Sequence, residues 1–367
     1  MPSFRKPGCL GVCLLLGVAP VVALMALAPA DSAAARVPRR CAAPPHANAD
    51  YAHCNLTGAN FSGADLADAN FKNATLTGAT LGSADLSGAT LAGVVSGGIT
   101  GTPASLPSGW VVVDGYLVGP QAILTGANLT GANLTGADLQ MARLSGADFT
   151  GANLTNANLE KVVLTSANLA SADLSAATLT GVVSGGITGT PASLPSGWVV
   201  VDGYLVGPQA ILTGANLTGA DLTGADLSKA NLTSVNLSGA NLTDATVKGS
   251  KLQGTVLAGA TLTGVVSGGT ITGTPASLPP GWALVGARVR YLVGPAANLT
   301  SADFYGANLA GTDLADANLT AANLTDANLA GANLAGANLS SVIWSDTICP
   351  DGTNSNNDGD TCIDNLG

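Results

Sequence analysis

From Asn55 onward a Leu or Phe recurs at every fifth position: Leu56, Phe61, Leu66, Phe71, Leu76, Leu81, Leu86 and Leu91 in the first run alone. An α-helix returns a side chain to one face every ~3.6 residues and a strand every second residue, so neither fits this spacing. A strict beat of five demands a backbone that turns one corner per repeat. The usual unit is Ala-Asn/Asp-Leu-Thr/Ser-Gly, and 41 such units fall into four blocks, centred on residues 56–91, 124–179, 212–262 and 299–344. The centre is Leu in 35 units and Phe in four, with Val247 and Trp344 as the exceptions, and Ala stands two residues earlier in 34. One large and one small apolar residue per unit therefore turn inward, and the other three positions face water. Only 10% of the chain is charged, too little for an ordinary globular surface.

Runs such as Ala127-Asn128-Leu129-Thr130-Gly131 and Ala332-Asn333-Leu334-Ala335-Gly336 resemble the pentapeptide-repeat family, whose repeat is A(D/N)LxX, over about two thirds of the chain. The resemblance implies an all-β fold, a right-handed quadrilateral β-solenoid with one pentapeptide per side and four per coil. Forty-one sides make about ten coils, and at ~4.8 Å per strand the array is on the order of 50 Å long. Such an array is quasi-one-dimensional and needs a cap at each end. Val162, Val235, Ser250, Thr255, Thr312 and Val342 depart from Ala at the small inward position and are read as local packing adjustments.

Three segments interrupt the beat. Residues 93–123 and 181–211 are identical in sequence, so a unit of coil plus insert was duplicated. In each, a Trp-Val-Val-Val-Asp-Gly-Tyr-Leu-Val run predicts a β-hairpin around an Asp-Gly turn. The third copy keeps Trp282 and Tyr291 but lengthens the middle. The hairpin aromatics, Trp110, Tyr116, Trp198, Tyr204, Trp282 and Tyr291, either form a binding ledge or seat the hairpins on the solenoid. The expected organisation is a signal segment (1–35), an N-terminal cap (36–54), repeat blocks (55–92, 122–180, 210–263 and 297–346), hairpin inserts (93–121, 181–209 and 264–296) and a C-terminal cap (347–367).

Arg5 and Lys6, an apolar run from Cys9 to Ala28 and the small residues Ala33-Ala34-Ala35 read as a secretory signal peptide; an uncleaved membrane anchor is the alternative. Cleavage leaves four cysteines in an oxidising compartment, and their positions at the two ends of the array favour Cys41–Cys54 and Cys349–Cys362 pairs. His46 and His53 beside the first pair lack a compact zinc-ligand spacing. The tail offers Asn354, Asn356, Asp358 and Asp360 as candidate calcium ligands, although Asn365 stands where a bidentate Glu is needed; a turn-rich disulfide cap is the other reading.

No nucleophile–histidine–carboxylate spacing and no Gly-rich phosphate loop is visible, so no catalysis and no cofactor are expected. Of the 23 acidic residues all but Glu160 are Asp, mostly in the Asn/Asp slot. Stacking places Gln140 and Met141 over Glu160 and Lys161, and Thr135, Thr155 and Ser175 in one imperfect column. Thirteen Lys plus Arg against a net charge of −10 argue against direct binding of nucleic acid. The expected function is a secreted bacterial structural or interaction scaffold with an unknown protein or cell-surface partner. Two alternatives remain: a DNA mimic acting on a type II topoisomerase, and an extracellular carbohydrate or surface binder working through Thr/Asn-rich faces.

Overall fold

The computed structural model describes residues 39–286 and 289–364. The signal segment lies outside them. Each five-residue unit builds one side of a square coil. Leu56 N–H donates to the Thr75 carbonyl at 2.8 Å, Thr75 N–H returns a bond to Cys54 at 2.9 Å, and Gly58 N–H reaches Thr77 at 2.8 Å. The corner is a four-residue turn closed by Ala59 N–H on the Leu56 carbonyl (3.0 Å). Its third residue has positive φ, +69° at Gly58, as a type II turn requires. Asp68 and Asn73 take the same conformation at φ 58° and 56°, which short polar side chains tolerate best after glycine.

Rungs pair in parallel with partners 20 residues along, as in Asn55 with Thr75 and Asn60 with Thr80, so four units close one coil. The Leu and Ala of each unit meet on the axis and are almost all fully buried. The Asn/Asp slot stays outside but is not idle. Its Oδ1 caps the next turn, as where Ser62 N–H donates to Asn60 at 3.0 Å. Neighbouring coils are then joined by amide-to-carboxylate ladders: Asn70 to Asp50 and Asn168 to Asp148 at 3.1 Å, and Asn333 to Asp313 at 3.0 Å. Asp173 accepts from the Ser175 hydroxyl, the Ser193 hydroxyl and the Ser175 N–H, which hold its carboxyl at about 2. A carboxylate held below its unfolded value stabilises the fold above that value. This stabilisation is expected to fade as the pH falls from 3.8 towards about 2. Melting curves of Asp173→Asn and the parent should converge across that window.

Three antiparallel hairpins interrupt the coil: β1 (Val111–Val113) with β2 (Tyr116–Val118), β3 (Val199–Val201) with β4 (Tyr204–Val206), and β5 (Ala283–Val285) with β6 (Tyr291–Val293). The solenoid runs further into the inserts than the consensus predicts. Val95, Thr100 and Ser105 pair with Thr75, Thr80 and Asp85, so the first half of each insert still forms coil sides from non-consensus residues. The expectation of about ten coils is thereby corrected upward. One ladder climbs through Asn55, Thr75, Val95, Ile123, Arg143, Val163, Val183, Ile211, Asn231, Lys251 and Thr272, and Asp303, Asn323 and Ile343 continue its side.

Among the described residues only one side carries its ladder past each hairpin. It is the Val95–Ile123 side for the first and the Val183–Ile211 side for the second, and the same ladder joins the two. The third hairpin is bypassed by Val266–Asn298 instead, on the side that precedes Thr272. The first two hairpins therefore open towards the same direction, and the third is turned by one side, a quarter of a revolution.

The ends are closed as the cysteine spacing predicts. Cys41 bonds Cys54 and Cys349 bonds Cys362, each with Cα atoms 5.4 Å apart. At the N-terminal end Tyr51 stacks on Phe71, with ring centroids 5.2 Å apart. Among the described residues no helix is long and apolar enough to cross a membrane.

Candidate interaction surface

The hairpins are the features that a bare solenoid lacks. The first two are fixed at three points, and the third shares the lower two of them. Near the tip, Ile99 N–H donates to the Gly115 carbonyl (2.9 Å), and Ile187 N–H to Gly203 (2.9 Å). In the middle, a buried serine receives a strand amide: Leu117 N–H on Ser96 Oγ and Leu205 N–H on Ser184 Oγ at 2.9 Å, and Leu292 N–H on Ser267 Oγ at 3.0 Å. At the base, the Trp ring covers a glycine, and a Cβ added at Gly119, Gly207 or Gly294 would sit 2.2 Å from Trp110, Trp198 or Trp282.

The aromatics follow this seating. Trp110 and Tyr291 are 8% exposed, and Tyr116, Trp198, Tyr204 and Trp282 are half-buried. The Tyr116 hydroxyl accepts from Asn128 N–H at 3.2 Å and that of Tyr291 from Asp303 N–H at 2.9 Å, which ties the first and third hairpins to the coils that follow them. What the first two hairpins present outward is a valine edge, Val111 and Val199, 42% and 41% exposed. Below the second lies a niche of about 260 Å³ between Trp198, Val199, Asp221 and Asp226.

The three buried serines were not singled out from the sequence, yet the signal is there. Ser96 falls five residues after Leu91, in the large inward slot, with Val94 in the small one. Ser96→Ala is expected to strand the buried Leu117 N–H and cost about 1–3 kcal/mol. Hydrogen exchange at Leu117 should accelerate with it, and unchanged exchange would refute the role.

The other candidate residues sit as follows. Gln140 Nε2 donates to Glu160 at 2.9 Å and Lys161 Nζ to its other oxygen at 2.6 Å, so the lysine first and the amide second lower the Glu160 carboxyl. Thr135 turns its hydroxyl onto Asn133 (2.8 Å), and Thr155 meets Ser175 at 3.5 Å. In the tail, Asn354 Oδ1 caps the 3-10 turn Ser355–Asp358 by accepting from Asn356 N–H (2.9 Å), and Asn356 Oδ1 accepts from Asp346 N–H (2.9 Å). Two of the four candidate calcium ligands thus already hold backbone amides. Asp360 is exposed, and among the described residues no three His, Cys, Asp or Glu side chains gather as a metal site.

A model of pentapeptide repeats matches residues 54–93, 121–151, 142–181, 210–249, 240–266, 297–334 and 313–343, together more than half of the chain. Among solved structures, HetL from the cyanobacterium Nostoc sp. strain PCC 7120, a pentapeptide repeat protein involved in heterocyst differentiation regulation, is 25% identical over 86% of this chain and 96% of its own, with a TM-score of 0.19. A pentapeptide repeat protein of the Arabidopsis thaliana thylakoid lumen is 27% identical over 39% of this chain and 62% of its own, TM-score 0.13. Full-length QnrB1, a plasmid-mediated fluoroquinolone resistance protein, is 13% identical over 77% and 90%, TM-score 0.16. No curated protein matches the sequence. With its five-residue beat, its four-sided rungs and that repeat match in agreement, the chain belongs to the pentapeptide-repeat family and is a right-handed β-solenoid.

Proposed function

We propose that this protein is an exported, non-catalytic scaffold whose disulfide-closed solenoid presents its hairpins to a protein or cell-surface partner. The observation that carries the reading is the combination of a disulfide at each end with two sequence-identical hairpins on one side. Disulfides persist in oxidising compartments, which suits export. Two copies of one surface, four rungs apart along one ladder, lie roughly 19 Å apart, a spacing at which a single partner with two matching sites gains by avidity. The Asn-over-Asp ladders dilute the surface charge, which weighs against imitation of a nucleic-acid duplex.

The test is the intact and peptide mass of the protein recovered from the medium under non-reducing conditions. A mature start near Arg36 with Cys41–Cys54 and Cys349–Cys362 closed is the expected result. A whole, reduced, cell-retained chain overturns export, and a gyrase supercoiling assay on that material then decides for or against the topoisomerase reading.

A further inference from the structure

The third hairpin differs from the first two in more than its direction. Beside it opens a cleft of about 980 Å³, walled on the hairpin side by Leu284, Val285 and Val289 and floored by Asp303, Tyr305 and Asn308 of the coil above. That volume lies at the upper end of the range of small-molecule pockets.

The hydrogen bond from the coil to the hairpin tyrosine gives the correspondence between copies. Asn128 N–H meets Tyr116 and Asp303 N–H meets Tyr291, so Asp303 stands where the first copy has Asn128 and, by sequence identity, the second has Asn216. Two residues on, Tyr305 replaces Thr130 and Thr218. Three departures from the duplicated unit, a longer hairpin, a new carboxylate and a new aromatic ring, thus converge on one cleft. Tyr305 is 64% exposed, the one aromatic among the described residues that is so open. The Asp326 carboxylate beside it pushes its phenol up.

The polar atoms on the floor are only partly used. Asp303 Oδ1 accepts from Tyr305 N–H (3.2 Å) and Asn323 Nδ2 (3.1 Å), while Oδ2 has no partner among the described residues. Asn308 Oδ1 accepts from Ala310 N–H (3.2 Å), while its Nδ2 is likewise unengaged among them. An open aromatic face with one spare acceptor and one spare donor at its edge matches the chemistry of a pyranose ring, with its apolar C–H face and its rim of hydroxyls that both donate and accept.

We propose that the cleft between the third hairpin and the Asp303–Asn308 side is a binding site for a neutral saccharide, which stacks on Tyr305 and hydrogen-bonds Asp303 and Asn308. The site goes beyond the scaffold reading, and the purified chain should show it wherever the protein resides.

The experiment is binding of the full chain to an array of neutral glycans ending in glucose, galactose, mannose or N-acetylglucosamine, with titration calorimetry on the best of them. Tyr305→Thr and Asp303→Asn restore the residues of the first copies, so both variants should fold as the parent does. Tyr305→Thr is expected to weaken binding tenfold or more, and Asp303→Asn several-fold. Absence of binding to every glycan overturns the proposal, and so does binding that Tyr305→Thr leaves unchanged. Tyr305-dependent binding of choline or methylated lysine in place of a sugar assigns the cleft to organic cations and overturns the ligand class.

Discussion

Phe71→Ala is expected to lower the free energy of unfolding by about 3–5 kcal/mol, near the upper end for a single core truncation. Phe71 is fully buried. It lies between the stacked ring of Tyr51 at 5.2 Å and the edge-on ring of Phe61 at 5.9 Å, so the substitution opens a cavity and also breaks two aromatic pairs. Its position adds to the effect. Tyr51 is the last large side chain on the axis before the Cys41–Cys54 cap, and it rests on Phe71. In a stack where each coil touches only its neighbours, loosening the first contacts leaves the cap with nothing to sit on. Denaturant unfolding measures the loss, and hydrogen exchange should show it concentrated in the first two coils. Phe71→Leu installs the residue that most units carry there and should cost less than the alanine change, because it leaves a smaller cavity. An alanine variant as mild as a surface change, within about 0.5 kcal/mol, would show that the aromatic cluster does not anchor the cap.

The repeat was legible because its physics is local: a large residue, a small one and a corner every five positions leave few folds open. Both disulfides were legible for the same reason, since the cysteines flank the array. The positions of the inserts were less so. Val94, Val95 and Ser96 keep the beat, but serine in the leucine slot followed by Gly97 and Gly98 hides a coil side whose hydroxyl is reserved for a strand amide 21 residues later. The relative directions of the hairpins follow from that hidden side. Twelve units between the first two inserts make three whole coils, and eleven before the third fall one side short. The count was available in the sequence, but the phase could not be set until Thr100 and Ser105 were known to be sides. Tyr305 was invisible for a different reason. In sequence it is one substituted turn residue, and it gains meaning only when the hairpin folds back beside it.

Replacing Cys349 and Cys362 by serine is expected to cost about 3 kcal/mol, the value for a closed loop of roughly this length, and to act from one end. Both sulfur-bearing side chains are fully buried against the last coil. There the Thr347 hydroxyl shares its one proton between the Leu324 carbonyl (2.7 Å) and the Trp344 carbonyl (2.6 Å), and Ser355 N–H donates to the Thr347 carbonyl (2.9 Å). The last of these bonds comes from the tail that the disulfide holds down. Once it is free, the top of the stack exposes Trp344 and the final leucines to water. A globular core would share such a loss over the whole domain, whereas a linear array transmits it rung by rung. Hydrogen exchange should therefore accelerate most at residues 329–348, less at 309–328, and hardly at all near the first hairpin. Cys41→Ser with Cys54→Ser should give the mirror image from the other end. A uniform rise in exchange along the whole chain would mean that the solenoid unfolds as one unit and that its caps are not separate stops.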